Sequence, residues 1–208
     1  MAIQLPDDVA LAYSETKQRI KLRLRDFAAV PKSAWFYEFC FCICTPQSKA
    51  ESALMVVDRL ASLDFLHEGF DPTYLLEDKA HYIRFHNVKA SRLLALRRQW
   101  PMLLESIEKI ENPSEIRQYL VQEVDGYGLK EASHVLRNVG YKDLAILDRH
   151  ILRMLFRCGV IDECQKVSTQ SSYLQVEKLA LDYSKKVGIS LDELDLLFWF
   201  MNTGKILK

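Results

Sequence analysis

A lysine placed directly after a glycine turn, with an isolated aspartate further on, is the pattern in this chain with the most chemical content. Residues 125–130 read DGYGLK, and the sequence continues EASHVLRNVGYKDLAILDRHILRML from Glu131 to Leu155. Gly126 and Gly128 permit positive φ in the turn and let another backbone come close. With a helix on either side they make a helix–hairpin–helix. Its turn N–H groups and the N-terminus of its second helix point outward together, which suits an anion such as a DNA phosphate. An ordinary helix-capping glycine is the plain alternative, and GYG alone does not choose between the two.

Lys130 tips the balance. It falls in the first turn of the second helix, where the positive end of the macrodipole disfavours an ammonium. A surface lysine gains nothing there, whereas one that must shed its proton and attack as an amine does. Asp148 follows near the start of the next helical stretch, among Ala145, Ile146, Leu147, Ile151 and Leu152. A carboxylate in such surroundings is costly without a partner or a task. A helix N-cap bond is one explanation; a Lys–Asp pair across a helical elbow is the chemical one.

The elements that must position these groups are helical. Only 7 glycines and 6 prolines punctuate the 208 residues, β-branched alternation is scarce, and apolar residues recur at helical spacing. Asp7 or Asp8 caps a first helix running toward Phe27. A second opens at Pro31 or Ser33 and runs until Pro46, a third starts at Ser48, and Asp71-Pro72 opens a short one. Asn87–Trp100 is long and amphipathic, and Pro113 starts another. After the hairpin, a helix over about 129–138 ends at Gly140. A further helix is expected from Lys142-Asp143 through about Arg157, with Leu144, Leu147, Ile151 and Leu155 on one face. Two more follow, about 172–186 and 191–201. The expected class is all-α: two helical lobes around a cleft, approximately 1–30 plus 140–208 and 31–139, with the hairpin at 125–130.

Composition bounds the function. Apolar residues make up 49% and charged residues 27%, as in an ordinary globular protein, and 28 basic residues balance 28 acidic ones. Neutrality argues against wrapping nucleic acid over the whole surface but leaves room for a local basic face. No apolar run approaches the ~18–20 residues of a membrane span, and the start MAIQLPDDVALAYSE lacks a signal-peptide pattern. An intracellular protein, in cytoplasm or nucleoid, is expected. The five cysteines, Cys40, Cys42, Cys44, Cys158 and Cys164, are odd in number, and the FCFCIC spacing suits neither zinc nor an iron–sulfur cluster. They read as buried free thiols.

The string GYGLKEASHVLRNVGYKDLAILDRHILR resembles the archaeal-type 8-oxoguanine DNA glycosylase/AP lyases of the helix–hairpin–helix superfamily. The similarity extends to the tail LDELDLLFWFMNTGKILK and, loosely, to EFCFCICT. It implies a lysine nucleophile at Lys130 and an assisting carboxylate at Asp148. Base excision and β-elimination through a Schiff base would follow, with no metal or cofactor. It further implies base recognition by Trp199, by the terminal Lys208 and by Phe85, and a strand wedge at Gln47. The implied partner is double-stranded DNA containing 8-oxoguanine, bound by a monomer and not by way of a membrane.

Phosphate contacts are expected from Gly126, Gly128, Arg149 and Arg153, with Arg157 on the same helix face. Arg84, Lys89, Arg92, Arg97 and Arg98 form a further basic run around and after Phe85. Asp125 departs from the basic residue usual before the hairpin glycine, and could cap the turn. The lack of a four-cysteine cluster after the last helices separates the chain from the endonuclease III type. Two alternatives remain: a glycosylase/lyase of the same superfamily with another base specificity, and a non-catalytic module that keeps only the phosphate hairpin.

Overall fold

The computed structural model describes residues 5–162 and 167–207. Among these residues there is no strand. The helices are α1 (Asp7–Ala28), α2 (Lys32–Cys44), α3 (Ala50–Ser62), α4 (Phe65–Glu68), α5 (Thr73–Leu76), α6 (His86–Lys109), α7 (Pro113–Glu123), α8 (Leu129–Asn138), α9 (Arg149–Arg157), α10 (Gln170–Val187) and α11 (Leu191–Thr203). A 3-10 turn covers Lys79–His81. None of the described helices is long and apolar enough to cross a membrane. The chain divides into two compact units, Val30–Val135 and Met1–Ala29 with Leu136–Lys208.

In the Val30–Val135 unit, α2 carries Glu38 as its one charged residue after the first turn, and it is buried from Glu38 to Cys44 without a break. A helix with no polar face belongs in a core, and α2 packs on both α3 and α6. Phe36 and Phe39 meet the Trp100 ring edge-on at 5.4 and 5.0 Å. Each fully buried aromatic side chain of this kind stabilises by roughly 1.5–3 kcal/mol. Cys40, Cys42 and Cys44 are free thiols in this core. Burial pushes the Cys40 thiol well up and that of Cys44 to about 12. Cys158 is also buried and free, whereas Cys164 lies outside the described residues.

The expected end of α6 at Trp100 is corrected: the helix runs through Pro101 to Lys109. An interior proline costs about 3 kcal/mol, and burial of Leu103 and Ile107 beyond it offsets that cost. Arg97 is likewise not free for DNA. Its guanidinium donates to the carbonyls of Phe65, Leu66 and His67 at 3.1, 2.9 and 2.7 Å, and so closes α4.

In the other unit, α11 packs on α1 and α9. Capping boxes start α10 and α11, through Thr169 with Ser172 and Ser190 with Glu193. Gly140 takes φ +95, and a Cβ there would stand 2.9 Å from the Ala28 Cα. Arg137 is 4% exposed, pairs with Asp195 at 2.5 Å and lies over the Phe27 ring.

The helix expected from Lys142 to Arg157 is also corrected, since only Arg149–Arg157 is helical. Asp143 takes φ +63, and residues 144–147 form a buried, non-helical segment. Their backbone is satisfied from α10 instead. Glu177 accepts the Ala145 N–H at 2.8 Å, and the Tyr173 hydroxyl accepts from Leu147 and donates to the Ala145 carbonyl.

Two stability outcomes follow. Burial raises the Asp192 carboxyl to about 6 from an ordinary 3.8, against a bond from the Asp143 N–H and the charge of Arg137. The folded state therefore holds this proton more tightly than the unfolded chain, and stability falls as pH rises from about 4 to about 6. Asp192→Asn keeps an acceptor for Asp143, so thermal melts should show it stabilised by about 1–3 kcal/mol at pH 7.5 and little changed at pH 4. Equal effects at both pH values would refute this. Gly140→Ala should cost about 1–3 kcal/mol in urea unfolding, because it combines positive φ with a clash against backbone.

Candidate active site

The α7–α8 hairpin is built from its anchors. Pro113 occupies the first turn of α7, and Asn112 caps it by accepting the Ser114 N–H at 2.9 Å. At the tip, Tyr127 turns inward: its hydroxyl donates to the Phe39 carbonyl at 2.9 Å, and its ring stacks on that of Phe39 at 6.0 Å. Burial drives the phenol pKa well up, which keeps the hydroxyl a donor. Of the two glycines, only Gly126 uses positive φ, at +88. A Cβ on Gly126 would lie 2.7 Å from the Arg92 guanidinium. Asp125 stands 3.4 Å from Arg92 Nε, an ion pair without hydrogen-bond geometry, so it is tied to α6 rather than to the turn.

Lys130 is the second residue of α8 and is partly exposed. Its Nζ lies 3.3 Å from Glu131 Oε1, while Glu131 Oε2 accepts the Gly128 N–H at 3.2 Å. Sequence reasoning assigned Glu131 no part. The signal was present: a glutamate three residues after the turn glycine is the spacing with which a helix-capping side chain reaches back to the backbone. The hairpin N–H expected to meet a phosphate is thus held by a carboxylate here.

Lys89, expected on the phosphate track, is instead buried. Its ammonium donates to the carbonyls of Cys44 and Pro46 at 2.8 and 2.6 Å and to Ser48 Oγ at 3.2 Å. Burial is the main cause of a pKa lowered to about 8; Cys44 opposes it, and the charges of Arg92 and Lys130 add to it. Lys89, Arg92 and Lys130 therefore share one electrostatic neighbourhood. Arg84 is exposed and lies over the Phe85 ring at 4.9 Å, and Arg98 is exposed. Phe85 is 49% exposed with φ +60, and Gln47 is exposed with φ +58.

In the other unit, Asp148 is the N-cap of α9. Its Oδ1 accepts the N–H groups of His150 and Ile151 at 2.8 and 2.9 Å. Among the described residues nothing donates to Oδ2. The cap is real, and it leaves half the carboxylate unused. His150, another residue the sequence reading passed over, meets the Trp199 ring edge-on at 5.2 Å. The Trp199 indole N–H is buried without an acceptor among the described residues. Asp148, His150 and Trp199 are thus contiguous. Arg149 and Arg153 are exposed on α9, whereas Arg157 is engaged by Asp8 of α1. Lys208 lies outside the described residues.

Comparison with known proteins agrees over nearly the whole length. Residues 20–189 match the family described as 8-oxoguanine DNA glycosylase. The chain is 38% identical over 205 residues to an 8-oxoguanine DNA glycosylase/AP lyase of Methanocaldococcus jannaschii, covering 95% of this chain and 96% of that one. It is 37% identical to the protein of that name from Fusobacterium nucleatum, covering 97% of each. The crystal structure of the Methanocaldococcus jannaschii enzyme with a 15mer DNA containing 8-oxoguanine superposes with a TM-score of 0.84 at 36% identity, covering 96% of each chain. The 8-oxoguanine DNA glycosylase of Thermotoga maritima gives 0.84 at 29% identity, covering 97% of each. An all-helical chain with an anchored glycine hairpin, a lysine on the helix behind it and such relatives belongs to the helix–hairpin–helix 8-oxoguanine DNA glycosylase family.

Proposed function

We propose that this chain excises 8-oxoguanine from double-stranded DNA and then cuts the strand at the abasic site, with Lys130 as the nucleophile and Asp148 as the assisting carboxylate. The observation that carries the reading is Lys130 itself, partly exposed on the first turn behind an anchored hairpin, in a chain of this family. The damaged nucleotide must leave the stack before its sugar can be reached. The glycosidic bond then breaks with positive charge growing on the sugar, and the Asp148 Oδ2 left over from the helix cap is the group suited to balance that charge. The Lys130 amine bonds to C1′ as the base departs with the bonding pair. The sugar ring opens to give a protonated Schiff base. Loss of a C2′ proton gives an enamine, whose electrons return to form the C2′–C3′ double bond as the 3′ phosphate leaves with its bonding pair, which completes β-elimination.

Other residues take supporting parts. Phe85 and Trp199 offer aromatic faces for an extruded base, and the tail lysine Lys208 reads its oxidised edge. Gln47 fills the vacated stack. The hairpin around Gly126 and Gly128 takes a phosphate, as do Arg149 and Arg153. Occupation of the Gly128 N–H by DNA requires Glu131 to let go.

Borohydride trapping on an 8-oxoguanine duplex should yield a covalent adduct, and Lys130→Gln should lose it while still binding the duplex. Removal of thymine glycol in preference to 8-oxoguanine would reassign the base specificity, and binding without trapping would leave only a DNA-binding module. Asparagine caps helices as well as aspartate does, so Asp148→Asn should fold with less than about 1 kcal/mol lost. Its single-turnover excision should fall by about 10²–10³-fold. Wild-type excision rates in that variant would remove Asp148 from the chemistry.

A further inference from the structure

Two bulky residues of the Val30–Val135 unit hold a backbone conformation that side chains other than Asn, Asp and Gly rarely adopt: Gln47 at φ +58 and Phe85 at φ +60. Both are exposed. They lie in different connections, one between α2 and α3 and the other at the start of α6. A single hydroxyl joins them. Ser48 follows Gln47 directly, and its Oγ accepts the backbone N–H of Arg84, the residue before Phe85, at 3.0 Å.

The same hydroxyl accepts from Lys89 Nζ, one helical turn beyond Phe85. Lys89 N–H donates to the Phe85 carbonyl at 3.0 Å, and Lys89 Nζ donates to the Pro46 carbonyl just before Gln47. The Cys44 carbonyl at the end of α2 takes a third bond from the ammonium. Lys89 is 2% exposed. A buried ammonium is expensive unless its donors are used, and every side-chain bond it makes goes to the segment that carries Gln47. Packing alone would be served as well by an apolar side chain of the same length.

We propose that Lys89 and Ser48 are positioning residues for base extrusion: they lock Gln47 and Phe85 into one rigid pair of probes, the first entering the stack and the second meeting the base that leaves it. This rests on the glycosylase reading above. Neither residue touches the reacting atoms. Their effect is to have the two conformations in place before DNA arrives, so that ordering them does not weaken the encounter.

The full chain is tested with Ser48→Ala, which changes no charge, and Lys89→Met, which keeps side-chain length. Excision from an 8-oxoguanine duplex is compared with strand cleavage at a preformed abasic site, where no base has to be extruded. Fluorescence of 2-aminopurine beside the lesion reports extrusion directly. Misplacement of the probes should slow duplex excision by about tenfold to a hundredfold, reduce the fluorescence rise, and leave abasic-site cleavage much less affected. Excision from a single strand carrying the same lesion should approach the wild-type rate. Variants with wild-type duplex excision, or with excision and abasic cleavage reduced by the same factor, would overturn the proposal. Should Lys89→Met fail to fold, Ser48→Ala carries the comparison alone. Wild-type protein that folds but cannot excise 8-oxoguanine would sink the glycosylase reading itself, a result distinct from failure of the clamp.

Discussion

A tyrosine hydroxyl bonded to a carbonyl of the central helix fixes the hairpin. Tyr127 reaches into the core at Phe39, and its ring stacks there. Without that anchor, a turn carrying two glycines would sample many conformations, because glycine gives up more freedom on folding than any other residue. With it, Gly126 can hold φ +88 against the guanidinium of Arg92. The first turn of α8 then starts at a fixed place, with Lys130 and Glu131 on it. Tyr127 is buried, and Lys130, three residues on, stays partly exposed.

Asp148 shows a different economy. Its carboxylate serves as a helix cap through one oxygen and keeps the other available. The cap depends in turn on the buried, non-helical run before it. That run survives because Glu177 and Tyr173 satisfy its N–H and C=O groups. Residues of α10 therefore support the backbone from which the carboxylate projects. The cap occupies one oxygen only, so it is compatible with the chemical part proposed for Asp148.

Local signals were legible in the sequence, and non-local ones were not. Proline marked the start of α7, and glycine marked the end of α8, because these residues act on the backbone beside them. The all-apolar character of FCFCIC announced a buried helix for the same reason. By contrast, residues 142–148 have helical spacing, and the non-helical run 144–147 is held by a bond from the Ala145 N–H to Glu177 that no local window contains. Trp100-Pro101 looked like a stop, but distant packing of Leu103 and Ile107 carries α6 onward. The basic run around Phe85 divided in a way its spacing could not foretell. Lys89 and Arg97 turn inward to backbone carbonyls, while Arg84 and Arg98 stay outside. Around the proposed site, the Glu131 contact had a local signal in its spacing from Gly128, whereas the meeting of His150 with Trp199 emerged only from geometry.

The row of thiols along α2 has a bearing on where such a protein can work. Peroxide attacks cysteine through its anion, and burial pushes the Cys44 thiol up to about 12, which disfavours that form at neutral pH. Cys40 is pushed the same way, and both are sealed from solvent. Peroxide therefore finds little thiolate to attack in this core.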